Sequence, residues 1–181
     1  MNSSMDRRMH HECVQRAIAL GRGTDPAALA ELVSLLKMPS AEIRRLAASA
    51  IGKLSGFGAD AATAVAALAP VALHDPHPQV QQYALTALKA YGTVALPHVA
   101  DLQDLANNPQ AKDYVRRASS SAVATIEEAG RIAAKEATHV CRRCGAEVSA
   151  DEYVRSQKAF QRVCCDKCFD EVYLERRNFD T

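Results

Sequence analysis

Three thiols stand within five positions in the segment RVCCDKC, at Cys164, Cys165 and Cys168, and a second pair, Cys141 and Cys144, precedes them in CRRCG. Taken as pairs they read C-x2-C, twenty residues, C-x2-C. Two intervening residues let both sulfurs of a pair reach one ion from a single tight turn, and Gly145 supplies the backbone freedom that such a turn needs. Two turns of this kind close a tetrahedron of thiolates, the geometry zinc takes at about 2.3 Å per sulfur. One Zn2+ per chain is therefore expected on Cys141, Cys144, Cys165 and Cys168, in a site that iron can also occupy. Cys164 paired with Cys168 stays open as the alternative. If Cys164 is not a ligand, it is expected to end a β-like segment, AFQRVC, and to pack as a small apolar residue.

Four thiolates around a divalent ion carry two net negative charges. Arg142, Arg143, Arg162 and Lys167 lie in or beside the two turns, where they can offset that charge; Arg142, Arg143 and Arg162 also form a candidate basic patch. A helix opening near Cys168 would aim its first amides at the sulfurs. Ser149 to Glu152, SADE, has the pattern of a capping box. The six histidines have no spacing that builds a second site, and Cys13, alone on the first helix, is expected to be a core thiol. From Val140 to Arg177 the arrangement resembles treble-clef zinc ribbons, a likeness that speaks for the metal and implies no activity.

The sulfurs belong to a segment of different composition from the rest. Alanine thins out after Ala137, and Tyr153, Phe160, Phe169, Tyr173 and Phe179 are five of the nine aromatic residues of the chain. Two domains are expected, residues 1–137 and 138–181. A piece as short as the second needs the metal for much of its stability.

The first piece repeats itself. IRRLAASAIGKL from Ile43, VQQYALTALKAY from Val80 and VRRASSSAVATI from Val115 align at offsets of 37 and 35 residues. Ile43, Val80 and Val115 begin a buried stripe that continues through Ala47, Ala84 and Ser119, then Ala50, Ala87 and Ala122. Ile51, Leu88 and Val123 follow, and Leu54, Tyr91 and Ile126 end it. Offsets of 0, 4, 7, 8 and 11 fall on one side of an α-helix. Each copy follows a Pro-containing breaker and an earlier apolar helix, so the period describes stacked helical hairpins.

Helix, proline turn and a helix opening V-R-R resemble HEAT repeats, over about Ala27 to Ile126, with CVQRAIALG before them as a capping half-repeat. The fold class expected is all-α: a HEAT-like solenoid of about three repeats plus a small α+β zinc ribbon. The family's aspartate before the turn is present as Asp75 but is Lys37 and Asn107 in the other copies. Its arginine is present as Arg44 and Arg116 but is Gln81 in the second. The resemblance implies an incomplete ladder between repeats. It also implies that the second helices line the concave face, where Arg45, Ser49, Gln82, Leu85, Thr86, Lys89, Arg117 and Ser121 are the candidate partner-binding residues.

The chain holds 22 basic and 21 acidic residues, and from Thr138 onward eight of each, so neither part is basic enough to suggest binding by general phosphate attraction. The opening MNSSMDRRMHHEC lacks the apolar run of a signal peptide, and no stretch has the length of a membrane span, so a cytoplasmic protein with no membrane partner is expected. No nucleophile with a base, no phosphate loop and no converging acid–base pair is present, so no catalytic residue is assigned. The expected function is a non-enzymatic scaffold for another protein, with structural zinc. Two alternatives remain: a nucleic-acid-associated protein using the basic residues of both parts, and a lyase or chaperone subunit resembling HEAT-like bilin lyases.

Overall fold

Apolar residues recurring at helical spacing must be covered, and here helix covers helix. The computed structural model describes residues 3–136 and 139–179, and the chain divides into two compact units, Met1–Gly130 and Arg131–Thr181.

In the first unit α1 (Ser3–Leu20) is followed by three hairpins. They are α2 (Leu29–Leu35) with α3 (Ala41–Leu54), α4 (Ala61–His74) with α5 (Pro78–Lys89), and α6 (Val99–Asn107) with α7 (Asp113–Glu136). Short 3-10 turns, Pro26–Ala28 and Gly92–His98, lead into α2 and α6. Helix starts follow the local chemistry: Asp60 accepts the backbone N–H groups of Ala62 and Thr63 ahead of α4, and Pro78 opens α5. Helix α7 runs through Gly130 without a break.

The stripe read from the repeats is the core. Ile43, Ala47, Ile51, Leu54, Val80, Ala84, Leu88, Val115, Ala122 and Ile126 are all buried. Where the third copy replaces alanine by Ser119, the buried hydroxyl donates to the Leu102 carbonyl at 2.6 Å, so the polar atom is satisfied. Tyr91, at the position of Leu54, donates to the Ile51 carbonyl at 2.7 Å, and desolvation pushes its hydroxyl up to about 12.

Helices α3 and α5 approach closely at Gly52, where an added Cβ would lie 2.9 Å from both Cα and Cβ of Ala87. Gly52→Ala therefore forces the two helices apart, and we expect it to cost about 1–3 kcal/mol in thermal or urea denaturation. Helix propensity alone would have made the same change stabilising.

Between the first two repeats Arg44 reaches across to Asp75 with two bonds of 2.7 and 2.9 Å, and it also donates to the carbonyls of Met38 and Pro39. The other rungs are absent, as their missing residues imply. Gln81 turns back to the Leu73 carbonyl, Arg116 pairs with Asp113 on its own helix, and the buried Nε of Arg116 has no hydrogen-bond partner among the described residues.

The second unit holds a two-stranded antiparallel sheet, β1 (His139–Val140) with β2 (Glu147–Val148), then α8 (Ala150–Phe160) and α9 (Asp166–Phe179). The β-like segment expected at AFQRVC is not formed. Ala159 and Phe160 are the end of α8, Gln161 closes it in the left-handed region at φ 56°, and the chain reaches the cysteines as a loop. The cause is the capping box. The Ser149 hydroxyl accepts the Glu152 N–H while the Glu152 carboxylate accepts the Ser149 N–H, which starts an eleven-residue helix.

Candidate metal centre and second-helix face

The first turn, Cys141 to Gly145, lies between β1 and β2. The Cys141 N–H donates to the Ala146 carbonyl at 2.8 Å and the Gly145 N–H to the Cys141 carbonyl at 2.9 Å; Gly145 sits at φ 73°, which glycine adopts without strain. Cys165 and Cys168 stand at the start of α9, where the Phe169 N–H donates to the Cys165 carbonyl.

These two segments are far apart in sequence and meet at their sulfurs. The Sγ atoms of Cys141, Cys144, Cys165 and Cys168 all lie within 4.8 Å of one another, and Cys144 and Cys165 are 3.6 Å apart. Sulfurs bonded at about 2.3 Å to one tetrahedral ion are about 3.8 Å apart, so the four thiols have the dimensions of a metal site. Cys164 is outside the cluster, buried in a loop with its N–H donating to Ser156 Oγ at 3.2 Å. The alternative pairing through Cys164 is not assembled.

The ionisation of the cluster calls for a cation. Burial pushes the Cys141 thiol up, but N–H groups of Cys165, Cys144 and Arg143 outweigh it and hold that thiol at about 6. Cys168 moves the other way, raised first by its hydrogen bond with Cys144 and then by burial. Several thiolates can share this space only around a positive ion, so loading a metal releases protons.

One residue outside the cysteine pattern, Glu152, bonds to the start of the second turn. Glu152 takes the Ser149 N–H with one carboxylate oxygen and the Asp166 N–H with the other, both at 2.8 Å. The Ser149 N–H, then the Ser149 side chain, hold its carboxyl below the usual carboxylate range, with Arg155 adding to them. A depressed folded value means that the contribution is complete above the ordinary glutamate range and is lost as pH falls through the folded value. Glu152→Ala should weaken metal binding roughly tenfold to a hundredfold, the usual effect of removing a partner that orients a ligand, measured by competition with a chromogenic chelator. The only sign of this role in the sequence is the capping-box pattern, which reports one of the two bonds. Phe160 and Phe169 pack at 4.7 Å beside the cluster, and His139, on β1, stacks on Tyr153 at 3.7 Å.

On the first unit the row predicted from the repeats is partly assembled. Ser49, Gln82 and Thr86 line a hollow of about 520 Å³ between α3 and α5, together with Gly52, Lys53, Tyr83, Ala87 and Ala90. Arg45 lies over the Tyr83 ring at 5.1 Å, and Lys89 donates to Ser121 Oγ at 2.8 Å, linking α5 to α7. Arg117 is exposed and does not line the hollow.

Leu85 is a correction. It is fully buried, as is Ala48 at the same repeat position, so it belongs to the core and to no partner surface. A second helix in a stack is covered by its own repeat and by the neighbouring one, which widens the buried stripe beyond the five positions read from the sequence. Tyr83 and Lys53 take part in the hollow although the row omitted them, and they flank it at offsets 3 and 10.

Residues 14–89 match the family model described as HEAT repeats. Over those residues the chain contains HEAT repeats. The match covers α3 and α5 with their buried Arg44–Asp75 rung and stops before the third hairpin, where α6 and α7 keep the same buried positions from Val115 to Ile126. No curated protein matches the chain. No helix among the described residues is long and apolar enough to cross a membrane.

Proposed function

We propose that this HEAT-repeat protein is a non-enzymatic scaffold: it takes an acidic segment of another protein on its second-helix face, and it carries one structural zinc on Cys141, Cys144, Cys165 and Cys168. The observation that carries the scaffold reading is the hollow between α3 and α5. Its floor is made of Gly52, Ala87 and Ala90, its rim offers the Gln82 amide and the Ser49 hydroxyl, and neither of those groups has a hydrogen-bond partner among the described residues. Arg45, Lys53, Lys89 and Arg117 are the charged residues in and along this row. Helix α5 contains no acidic residue at all. An acidic partner segment would meet that charge with carboxylates while its apolar side chains fill the hollow.

The test is partner capture by immobilised protein, wild type against Arg45→Glu/Arg117→Glu. Bound proteins are identified by mass spectrometry and the thermal midpoint is recorded alongside. The double variant should lose the captured protein. Its fold should weaken only by the Arg45–Tyr83 contact, about 0.5–1 kcal/mol for a cation–π pair at the surface. Undiminished capture by the variant would place the interaction elsewhere. Steeply salt-dependent binding of DNA of any sequence, lost in the same variant, would replace the scaffold reading by the nucleic-acid one.

Support for zinc is the gathering of four cysteine sulfurs within 4.8 Å of one another, at separations that a tetrahedral thiolate site can take. Metal analysis should find about one ion per chain, and a C-terminal unit that is folded yet free of zinc and iron would overturn it. A cytoplasmic location fits a cluster of reduced thiols.

A further inference from the structure

The four cluster cysteines are not equally covered. Cys141, Cys165 and Cys168 are buried whereas Cys144 is exposed, so a small solute meets the cluster first at Cys144. The Cys144 Sγ stands 3.6 Å from the Sγ of Cys165, which belongs to the other turn. A disulfide bond is about 2.05 Å long, so a shift of less than about 2 Å joins these two sulfurs.

The other thiols of the unit are less free to make that bond. The Cys141 sulfur accepts N–H groups of Cys165, Cys144 and Arg143, which tie it between the two segments. Cys168 lies in the first turn of α9, where helical backbone restricts its rotamers. Cys164 is buried and outside the cluster. Cys144 and Cys165 both leave from backbone that is neither helix nor strand, and Gly145, at φ 73°, follows Cys144.

From this arrangement we infer that the cluster is a peroxide-responsive switch, in which oxidation joins Cys144 to Cys165 and the metal is released. The inference rests on the zinc reading given above. In the first step the Cys144 sulfur attacks one oxygen of hydrogen peroxide, the O–O bond breaks, and a sulfenic acid and a hydroxide form. In the second the Cys165 thiolate attacks the Cys144 sulfur, the S–O bond breaks, and a second hydroxide leaves. Two electrons have then passed from the two sulfurs to the peroxide. With two thiolates withdrawn, Cys141 and Cys168 cannot complete the four-coordinate site that structural zinc takes, and the ion is lost. The disulfide ties together the same two turns that the metal tied, so a thiol reductant restores the four ligands in place.

The test uses the full chain, with its zinc content measured before treatment. An untreated chain without zinc overturns the zinc reading and this proposal with it, whereas a loaded chain that keeps its zinc in excess hydrogen peroxide overturns this proposal alone. Zinc release is followed with a chromogenic chelator, and the cysteines are mapped by alkylation and mass spectrometry. Zinc should leave in step with one disulfide, Cys144 to Cys165, while Cys164 stays a thiol, and dithiothreitol with added zinc should restore the metal. Cys144→His keeps a zinc ligand and removes the exposed thiolate, so it should slow the release by at least about tenfold. Cys164→Ala should release zinc at the parental rate. If the histidine variant does not load, the disulfide map of the parent decides. A disulfide between any other cysteines, release without a disulfide, parental release by a loaded Cys144→His chain, or slowed release by Cys164→Ala would each overturn the proposal.

Discussion

Cys165→Ser should empty the C-terminal unit of its metal and unfold it, whereas Cys164→Ala should leave both the metal and the fold in place. The two cysteines are neighbours in sequence and both are buried, so neither residue type nor exposure separates them. What separates them is the position of one sulfur. Cys165 lies 3.6 Å from Cys144 inside the four-thiol cluster, and Cys164, whose N–H donates to Ser156 Oγ, is not part of that cluster. Loss of one ligand from a site of this kind forfeits much of a metal-binding free energy on the order of 10 kcal/mol. The unit's own core among the described residues, six buried apolar residues of which Cys141, Cys165 and Cys168 belong to the cluster, is too small to compensate. The measurement is zinc per chain together with limited proteolysis. A folded, zinc-loaded Cys165→Ser protein would assign the fourth ligand elsewhere. The thermal transition of the HEAT repeats should survive in either variant, because stacked repeats are stabilised by their own neighbours.

Asp75→Ala should cost about 3–5 kcal/mol, the typical penalty for leaving one member of a buried ion pair alone. The side chains of Arg44 and Asp75 are only 12% and 4% exposed and share two short bonds between repeats. Asp75 also accepts the His77 N–H at 2.8 Å, closing the turn between α4 and α5. Removing it strands the guanidinium and frees the turn in one step. The contrast is Glu31→Ala. Its pair with Arg16 has the same chemistry but is largely exposed, and it should change stability little, because water and side-chain entropy offset most of such a contact. Urea denaturation of both variants against the parent measures the difference. An Asp75→Ala loss no larger than that of Glu31→Ala would show that the rung is not a stabilising element of the array.

Much of this molecule was legible in spacing alone. The recurrence of Ile43, Val80 and Val115 with their partners specified helices and their buried sides, since a helix has no other way to hide residues at offsets of 0, 4, 7, 8 and 11. Two C-x2-C pairs pointed to a cluster of four thiols, since two residues are what a tight turn needs to aim two sulfurs at one point, while Cys164 stayed open as an alternative. Missing residues were legible too: without aspartate at 37 and 107, only the rung from Arg44 to Asp75 could form.

Other features depend on which segments meet, and that is a property of the packed chain. Leu85 and Ala48 are buried because a neighbouring repeat covers them, information that lies some thirty-five residues away. Gly52 looks like a weak point of α3 until Ala87 is set 2.9 Å from its missing Cβ. Cys164 could be separated from Cys165 only when the loop after α8 had a direction, and that direction was set by Glu152 and Ser156, which bond to the loop across α8. Arg142, Arg143 and Arg162 line one pocket for the same reason: they come from two separate segments, which the Arg142–Val163 backbone bond joins.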